Sequence, residues 1–334
     1  MSVNADNLYL YANSVMTTHK CLLYVCDYGV FLHILCINCD NNYIHKYSDE
    51  ILYLINFNYF KGSSTYLNYV DTYNTIINDN DKKIIHINEH VLQVFTSFSK
   101  GAVHGFSGFY YTLIEYITNF NKYKDLKILL FKDSQSGMLD IINFCCEKKI
   151  IDKNKIIYIE KNRYYEFLSV TFIPNCFHVF NEELIPVVDN FINKNLIIDS
   201  KLNIKENVCL LKTDTTINLN QIDFYPSKVV EEFSKKYNFD IINTNNEIEL
   251  INNIYNCTMI ILSYGSCFFK NFIYISEKCK KVIIMVKGAY IDDYYRLSTT
   301  KNPYQGLILK KYKNADFIYI IANDNELNFN PYEK

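Results

Sequence analysis

Short apolar runs rich in β-branched residues alternate along this chain with segments whose apolar residues recur at helical spacing. The alternation extends from Lys83 to Ile159 and starts again from Val208 to Met285. Strands that alternate with helices form parallel sheets whose faces are covered by those helices. The chain is therefore predicted to be an α/β protein with two doubly wound, Rossmann-like units.

The first half is predicted to begin with a β-hairpin around Asp27-Tyr28-Gly29. Its strands are residues 21–26 and 31–39. The elements expected after the hairpin are strand 83–87, helix 110–120, strand 126–131, helix 137–146, strand 156–159 and helix 186–192.

A polar segment from Asn193 to Asn207 is the predicted linker. We place the boundary so that one domain covers residues 1–195 and the other covers residues 196–334, which suits domains of roughly 150 residues. The elements expected after the linker are strand 208–211, helix 227–237, strand 240–242, helix 247–256, strand 259–262, helix 267–276 and strand 281–285. The apolar segment 316–321 is expected to pack back onto one of the domains.

Composition limits the classes of partner. Hydrophobic residues make up 49% of the chain and its formal net charge is -2, which excludes a disordered chain and argues against nucleic acid as a partner. No segment is long and apolar enough to cross a bilayer, and the first residues lack the order of a signal peptide. We therefore expect no membrane span and a cytoplasmic location.

The chain contains 11 cysteines, an odd number scattered along its length. Free thiols in a reducing compartment are expected. The spacing of Cys21, Cys26, Cys36 and Cys39 is compatible with a zinc ion bound by four thiolates. Packing of these small apolar side chains within the hairpin is favoured over zinc.

Residue usage bears on the source of the protein. The chain has 30 tyrosines, no tryptophan and two arginines, Arg163 and Arg296, which indicates an AT-rich genome. A large DNA virus or an AT-rich microbe fits this bias. For a virus, the expected location is the host cytoplasm or a virus factory.

One strand-to-turn junction points to a ligand. The apolar run Cys257 to Ser263 is predicted to end in the turn Tyr264-Gly265-Ser266, which leads into the predicted helix 267–276. Backbone N–H groups and the positive end of a helix dipole stabilise phosphate at such a junction. A nucleotide-type ligand is therefore expected, although turns with Gly and Ser are common in any α/β domain.

The order of several motifs resembles the family 61 glycosyltransferases over roughly residues 85–290. In the carboxyl half the matching positions are Cys209-Leu210-Leu211-Lys212, Tyr237-Asn238-Phe239, Glu247, Tyr264-Gly265-Ser266 and Asn271. Lys212 stands where the family usually has Arg, and Tyr264 stands where it usually has His. A lysine still neutralises phosphate, as a point charge without the bidentate fork of arginine.

A second motif of that family matches the amino half. Tyr111-Thr112-Leu113-Ile114-Glu115 resembles the family's helix-starting "HFL-x-E" pattern, with Tyr111 in place of His and Asn119 in place of a later Arg. His104, in a segment expected to be a Gly-rich loop, is a candidate for the missing imidazole. The resemblance implies two Rossmann-like domains that face each other across a cleft, the GT-B arrangement.

The resemblance implies an inverting glycosyltransferase that moves a sugar from a nucleotide sugar to a glycan or protein hydroxyl. Glu115 or His104 is the expected base, with Tyr111 beside them. The diphosphate is expected to bind Lys212, Thr213 and the N–H groups of Gly265 and Ser266, with Tyr264 and Asn271 nearby and Glu247 on the ribose.

Structural roles for the same side chains stay open. His104 can be a structural histidine, Glu115 a solvated helix carboxylate and Lys212 a surface lysine. Asp79-Asn80-Asp81 has the form of a metal motif but the composition of a solvated turn, so no metal and no cofactor besides the donor are expected. The competing hypothesis is a catalytically degenerate binding or scaffold protein with a transferase fold. A homodimer is left open.

Overall fold

A computed structural model gives the fold of this chain. It describes residues 16–28, 31–37, 80–94, 102–134, 136–172, 184–198, 205–213, 225–263, 270–287 and 315–322. The chain forms two compact units, Met1–His178 and Val179–Lys334. Both units are α/β, as the alternation of apolar segments predicted. Within the described residues, no helix combines the length and the apolar character that a membrane crossing requires.

The first unit contains a sheet with helices between its parallel strands. Its elements are β1 (Met16–Tyr28), β2 (Phe31–Ile37), β3 (Ile84–Gln93), α1 (Ala102–Thr118), α2 (Phe120–Tyr123), β4 (Lys127–Phe131), α3 (Ser136–Glu147), a 3₁₀ turn (Lys153–Lys155), β5 (Ile156–Ile159) and β6 (Tyr164–Phe172).

The six strands of this sheet lie in the order β2-β1-β6-β3-β4-β5. Strands β3, β4, β5 and β6 run parallel, whereas β1 is antiparallel to both β2 and β6. Tyr28 pairs with Phe31, which confirms the predicted hairpin.

Strand β6 was not predicted, although it lies between β1 and β3. Tyr165 and Phe167 are buried, whereas Leu168 is 40% exposed. The buried pair joins a core cluster that also contains Leu23, Val91, Leu129, Phe131, Ile159 and Val170. A strand that buries two aromatic side chains in this core holds the hairpin to the parallel strands.

Helix α1 begins at Ala102, eight residues before the predicted start at Tyr110 (110 − 102 = 8). The expectation that His104 lies in a loop is therefore wrong. Phe106, Phe109 and Tyr110 are at most 1% exposed. Burial of these aromatic side chains offsets the helix-weakening effect of the glycines in this segment, because tertiary packing contributes most of the stability of a helix in a protein.

The second unit contains a sheet of five parallel strands. Its elements are α4 (Leu184–Phe191), a π-helical turn (Ile192–Leu196), β7 (Asn207–Leu210), α5 (Ser227–Tyr237), β8 (Asp240–Ile241), α6 (Glu247–Ile254), β9 (Met259–Ser263), β10 (Lys281–Lys287) and β11 (Asp316–Ala322).

The strand order of this sheet is β11-β10-β9-β7-β8. The chain passes from β7 to β8 on one side and then returns to place β9 on the other side of β7. The order therefore reverses at β7, which makes the carboxyl ends of β7 and β9 a topological switch point. Strand β11 pairs with β10, so the segment 316–321 packs back onto this unit.

Part of the predicted linker belongs to the second unit. Asn252 on α6 donates from Nδ2 to the Leu196 carbonyl over 2.9 Å and accepts at Oδ1 from the Ile198 N–H over 2.9 Å. These bonds hold the π-helical turn against α6. The units divide between His178 and Val179, before the boundary at 195/196 that the polar composition indicated.

The predicted helix 267–276 does not continue to its expected end. Residues 270–272 are helical, and residues 273–278 contain turns. The N–H groups of Ile273, Tyr274 and Ile275 each bond the carbonyl three residues earlier. The side chains from Phe272 to Ile275 are at most 5% exposed. A continuing helix cannot bury four successive side chains on one face, because each residue turns by about 100°.

Candidate functional site

The carboxyl ends of β7 and β9 bring two segments of the candidate site together. Leu210 on β7 pairs with Leu262 on β9. Just beyond this pair, the backbone N–H of Lys212, two residues after Leu210, donates to the Oγ of Ser263, the last residue of β9, over 3.1 Å. Ser263 is buried, with 6% exposure. Lys212 is thus positioned beside the strand that leads directly into the predicted turn 264–266.

A second contact fixes the backbone of Lys212 from the other side. The Lys212 carbonyl accepts a hydrogen bond from the Tyr225 N–H over 2.7 Å, and Thr213 forms an isolated parallel bridge with Tyr225. Thr213 and Tyr225 are 7% and 2% exposed, whereas Lys212 is half-buried. A fixed backbone reduces the entropy that Lys212 loses when it binds an anion.

Glu247 lies in the first turn of α6 and forms a buried ion pair. Its Oε2 lies 2.8 Å from Lys270 Nζ, and the two side chains are 6% and 12% exposed. Asn246 caps the helix, because its Oδ1 accepts from the Glu249 N–H over 2.9 Å. A carboxylate at this helix end is favoured by the dipole and by the lysine. The residue predicted to bind ribose therefore takes part in a structural ion pair.

Asn271 follows Lys270 in the chain. Its Oδ1 is buried and accepts no hydrogen bond within the described structure. A buried acceptor without a donor destabilises the fold by about 1–3 kcal/mol. A hydroxyl or N–H group of a ligand can satisfy such an acceptor. The donor-binding role of Asn271 stays a prediction.

Tyr264, Gly265 and Ser266 lie outside the described residues. Their predicted contribution of phosphate-binding N–H groups stays a prediction. The helix that contains Lys270 ends at Phe272, and its start lies outside the described residues. Lys212 supplies a positive charge beside the end of β9, whereas the charge of Lys270 is matched by Glu247.

In the first unit, positions 104, 111 and 115 lie on one stripe of α1, since intervals of seven and four residues return to the same side of a helix. Tyr111 is half-buried on this stripe. The side chain of His104 is outside the described residues. About 16 Å separates the backbone of positions 104 and 115 along the helix, so one substrate hydroxyl cannot contact both side chains.

Glu115 is bound by residues at the corner between α1 and α2. Its Oε1 accepts from the Tyr123 hydroxyl over 2.9 Å, and its Oε2 accepts from Asn119 Nδ2 over 2.8 Å. Lys122 Nζ lies 3.8 Å from Oε1. Burial raises the pKa of Tyr123, so this phenol remains a donor at neutral pH. Both carboxylate oxygens of Glu115 therefore stabilise the corner.

The structure describes two of the three residues of the possible metal motif Asp79-Asn80-Asp81. Asn80 and Asp81 form an exposed turn, and Asp79 is outside the described residues. No cluster of three His, Cys, Asp or Glu side chains suited to a metal ion occurs among the residues whose placement is given. The zinc alternative is untested, because Cys39 and the side chains of Cys21, Cys26 and Cys36 lie outside that part of the chain.

Two residues of this site were missed in the sequence, Ser263 and Lys270. Ser263 had a detectable signal, because it is a polar residue at the end of a predicted buried strand, directly before the predicted turn 264–266. Lys270 had none, because its partner Glu247 is 23 residues away.

The chain was also compared with known proteins. It matches no protein-family model and no curated protein.

Proposed function

We propose that the second unit binds the diphosphate of a nucleotide sugar at the carboxyl ends of β7 and β9, and that the chain is an inverting glycosyltransferase. The observation that carries this proposal is the reversal of strand order at β7, with Lys212 fixed at the end of that strand. Ligands of open α/β sheets bind at such switch points.

The chemistry at this edge suits a diphosphate leaving group. Lys212 supplies a positive charge, and the predicted N–H groups of Gly265 and Ser266 supply donors that require no reorganisation. As the bond between the anomeric carbon and the phosphate oxygen breaks, the leaving oxygen gains negative charge. An ammonium group held near this oxygen stabilises the transition state more than it stabilises the bound donor.

The acceptor side of the proposal belongs to the first unit. A base on α1 removes the proton of the acceptor hydroxyl, and the oxygen attacks the anomeric carbon from the face opposite the diphosphate. The contacts of Glu115 with Tyr123 and Asn119 favour His104 as this base. The GT-B arrangement, in which the two units face each other across a cleft, is part of the same proposal.

A donor panel tests the proposal. Thermal unfolding is measured with and without a series of nucleotide sugars, and released nucleoside diphosphate is measured over time. A donor at 100 times its Kd stabilises the folded chain by about 2.7 kcal/mol. We expect one donor class to raise the Tm by several degrees and to be hydrolysed slowly in the absence of acceptor.

A pair of lysine variants locates the effect. Lys212→Ala removes the charge at the carboxyl end of β7, and Lys281→Ala removes a half-buried lysine from the first position of β10 in the same sheet. We expect the Kd for the donor to rise about 10- to 100-fold in the first variant and to stay unchanged in the second. Unchanged donor binding in Lys212→Ala, or no donor that stabilises the parent chain, contradicts the proposal.

A second candidate function is a binding or scaffold protein with a transferase fold. The observation that favours it is the use of both Glu115 oxygens in contacts within the first unit. This hypothesis predicts that a nucleotide sugar raises the Tm while no nucleoside diphosphate is released with any acceptor. The same donor panel distinguishes it from the enzyme.

A further inference from the structure

Two cysteines face each other at the amino edge of the second sheet. Met259 on β9 pairs with Lys281 on β10. Cys257 and Cys279 each lie two residues before this pair, so they occupy opposite positions on neighbouring segments. The Lys280 N–H donates to the Thr258 carbonyl over 2.7 Å. This bond joins the residue after Cys279 to the residue after Cys257, just before β10 and β9 begin.

Both thiols are buried. Cys257 and Cys279 are 0% and 1% exposed. Cys279 Sγ donates to the Lys281 carbonyl over 3.4 Å. Both cysteines are free thiols in this structure.

The thiol pair is chemically asymmetric. The neighbouring Cys257 thiol lowers the pKa of Cys279, whereas the Cys279 thiol, together with burial, raises the pKa of Cys257. The thiolate is the form that reacts with oxidants. Cys279 is therefore suited to react first, with Cys257 held beside it as the second thiol.

The backbone geometry is compatible with a disulfide. Neighbouring strands lie about 4.7–4.9 Å apart, and the Cα atoms of disulfide-bonded cysteines are usually about 4.4–6.8 Å apart. The parallel register of Met259 with Lys281 continues back to Cys257 and Cys279, and side chains at opposite positions of neighbouring parallel strands project to the same face of the sheet. A bond between the two sulfurs therefore requires little movement of the backbone.

We propose that Cys257 and Cys279 are a site of reversible oxidation, at which hydrogen peroxide converts the two thiols to a disulfide. The Cys279 thiolate attacks one peroxide oxygen, which forms a sulfenic acid and releases hydroxide. The Cys257 sulfur then attacks the Cys279 sulfur, and its proton leaves with the hydroxyl group as water. Two thiols and one peroxide yield one disulfide and two waters.

The position of this disulfide has a structural consequence. It closes a loop from Cys257 to Cys279 that contains β9, the sequence Tyr264-Gly265-Ser266 and Lys270. A bond that closes a loop of this length reduces the freedom of the unfolded chain. We expect oxidation to raise the Tm by about 4–8 °C. This inference does not rest on the proposed function, because the disulfide is detected without any substrate.

The experiment uses the full chain without mutation. The reduced protein is treated with hydrogen peroxide at several temperatures below unfolding, remaining thiols are alkylated, and peptides are mapped by mass spectrometry without reduction. We expect a linked peptide pair that contains Cys257 and Cys279, with the loss of two hydrogens, and its disappearance after treatment with dithiothreitol. Linkage of either cysteine to another cysteine, or oxidation without linkage of this pair, overturns the proposal.

Matched variants add a second readout. Cys279→Ala and Cys257→Ala are expected to abolish the rise in Tm on oxidation. Cys209→Ala, which removes another buried cysteine from the same sheet, is expected to retain it. A rise in Tm that survives in Cys279→Ala overturns the assignment. If the alanine variants fail to fold, the peptide map of the unmutated chain still decides the question.

Discussion

The backbone N–H of Lys212 donates a hydrogen bond to Ser263 Oγ over 3.1 Å. This contact joins the second residue after β7 to the last residue of β9, across the point where the strand order of the second sheet reverses. The two residues are 51 positions apart. The contact fixes the backbone of the proposed phosphate-binding lysine beside the end of β9.

Substitution of Ser263 by alanine removes the acceptor for this N–H. We expect Ser263→Ala to lower the free energy of unfolding by about 1 kcal/mol, because a part-buried donor loses its partner. The Kd for a nucleotide sugar should rise as well, because the backbone of Lys212 is less well fixed. Denaturant unfolding and donor titration measure the two effects. Ser263→Thr, which keeps the hydroxyl, is the control, and equal behaviour of both variants contradicts the prediction.

Substitutions at Glu247 and at Lys270 are expected to have strongly coupled effects on the free energy of unfolding. Loss of one partner from a buried pair destabilises a protein by about 3–5 kcal/mol, because the other charge stays buried. We predict this loss for Glu247→Gln and for Lys270→Met. The double variant should be more stable than the sum of the single effects predicts. A double-mutant cycle in urea checks the coupling, and additive losses speak against it.

Glu115→Gln separates a structural role from a catalytic one. The contacts with Tyr123 and Asn119 predict a loss of about 1 kcal/mol in the free energy of unfolding, with donor-dependent turnover within about tenfold of the parent chain. Removal of a general base typically lowers turnover by about 10²- to 10⁴-fold. Such a fall in Glu115→Gln, at unchanged stability, assigns the base to Glu115 instead of His104.

Tyr255 gives the second unit a defined response to alkaline pH. Burial raises the pKa of Tyr255 to about 12, with Asp189 and Glu277 as further causes, and its exposure is 7%. The folded state therefore keeps a proton that the unfolded state releases near pH 10. This contribution to stability is complete below about pH 10 and is lost as the pH rises towards about 12.

The test compares unfolding at pH 9 and pH 11.5. We expect Tyr255→Phe to lose about 1–2 kcal/mol less stability over this interval than the parent chain, because phenylalanine has no proton to release. Tyr237→Phe, at a residue that is 51% exposed in the same unit, is the control and should behave as the parent does. Identical pH profiles for the parent and Tyr255→Phe rule the prediction out.

Several elements of the fold were predicted because their signal is local. Strand β5 and helix α5 have the predicted bounds, Ile156–Ile159 and Ser227–Tyr237. Strand β5 is a short apolar run rich in β-branched residues, and the apolar side chains of α5 recur at helical spacing. Turn-forming or polar residues flank both segments. The α/β class follows from the same alternation.

Other elements depended on partners that are distant in sequence. Helix α1 extends over a glycine-containing segment because its aromatic side chains are buried. The helix after β9 ends at Phe272 because four successive side chains enter the core. Propensity alone misplaces both limits, since tertiary packing outweighs the preference of single residues.

By itself, the sequence determined that this chain is α/β, and it placed Lys212 at the end of a strand. The tertiary structure alone decided that β7 lies between β8 and β9, that Lys212 contacts Ser263, that Glu247 pairs with Lys270 and that Cys257 faces Cys279. The physical reason is that apolar periodicity is a property of neighbouring residues. Strand order and side-chain partners depend instead on how segments many residues apart bury their surfaces together.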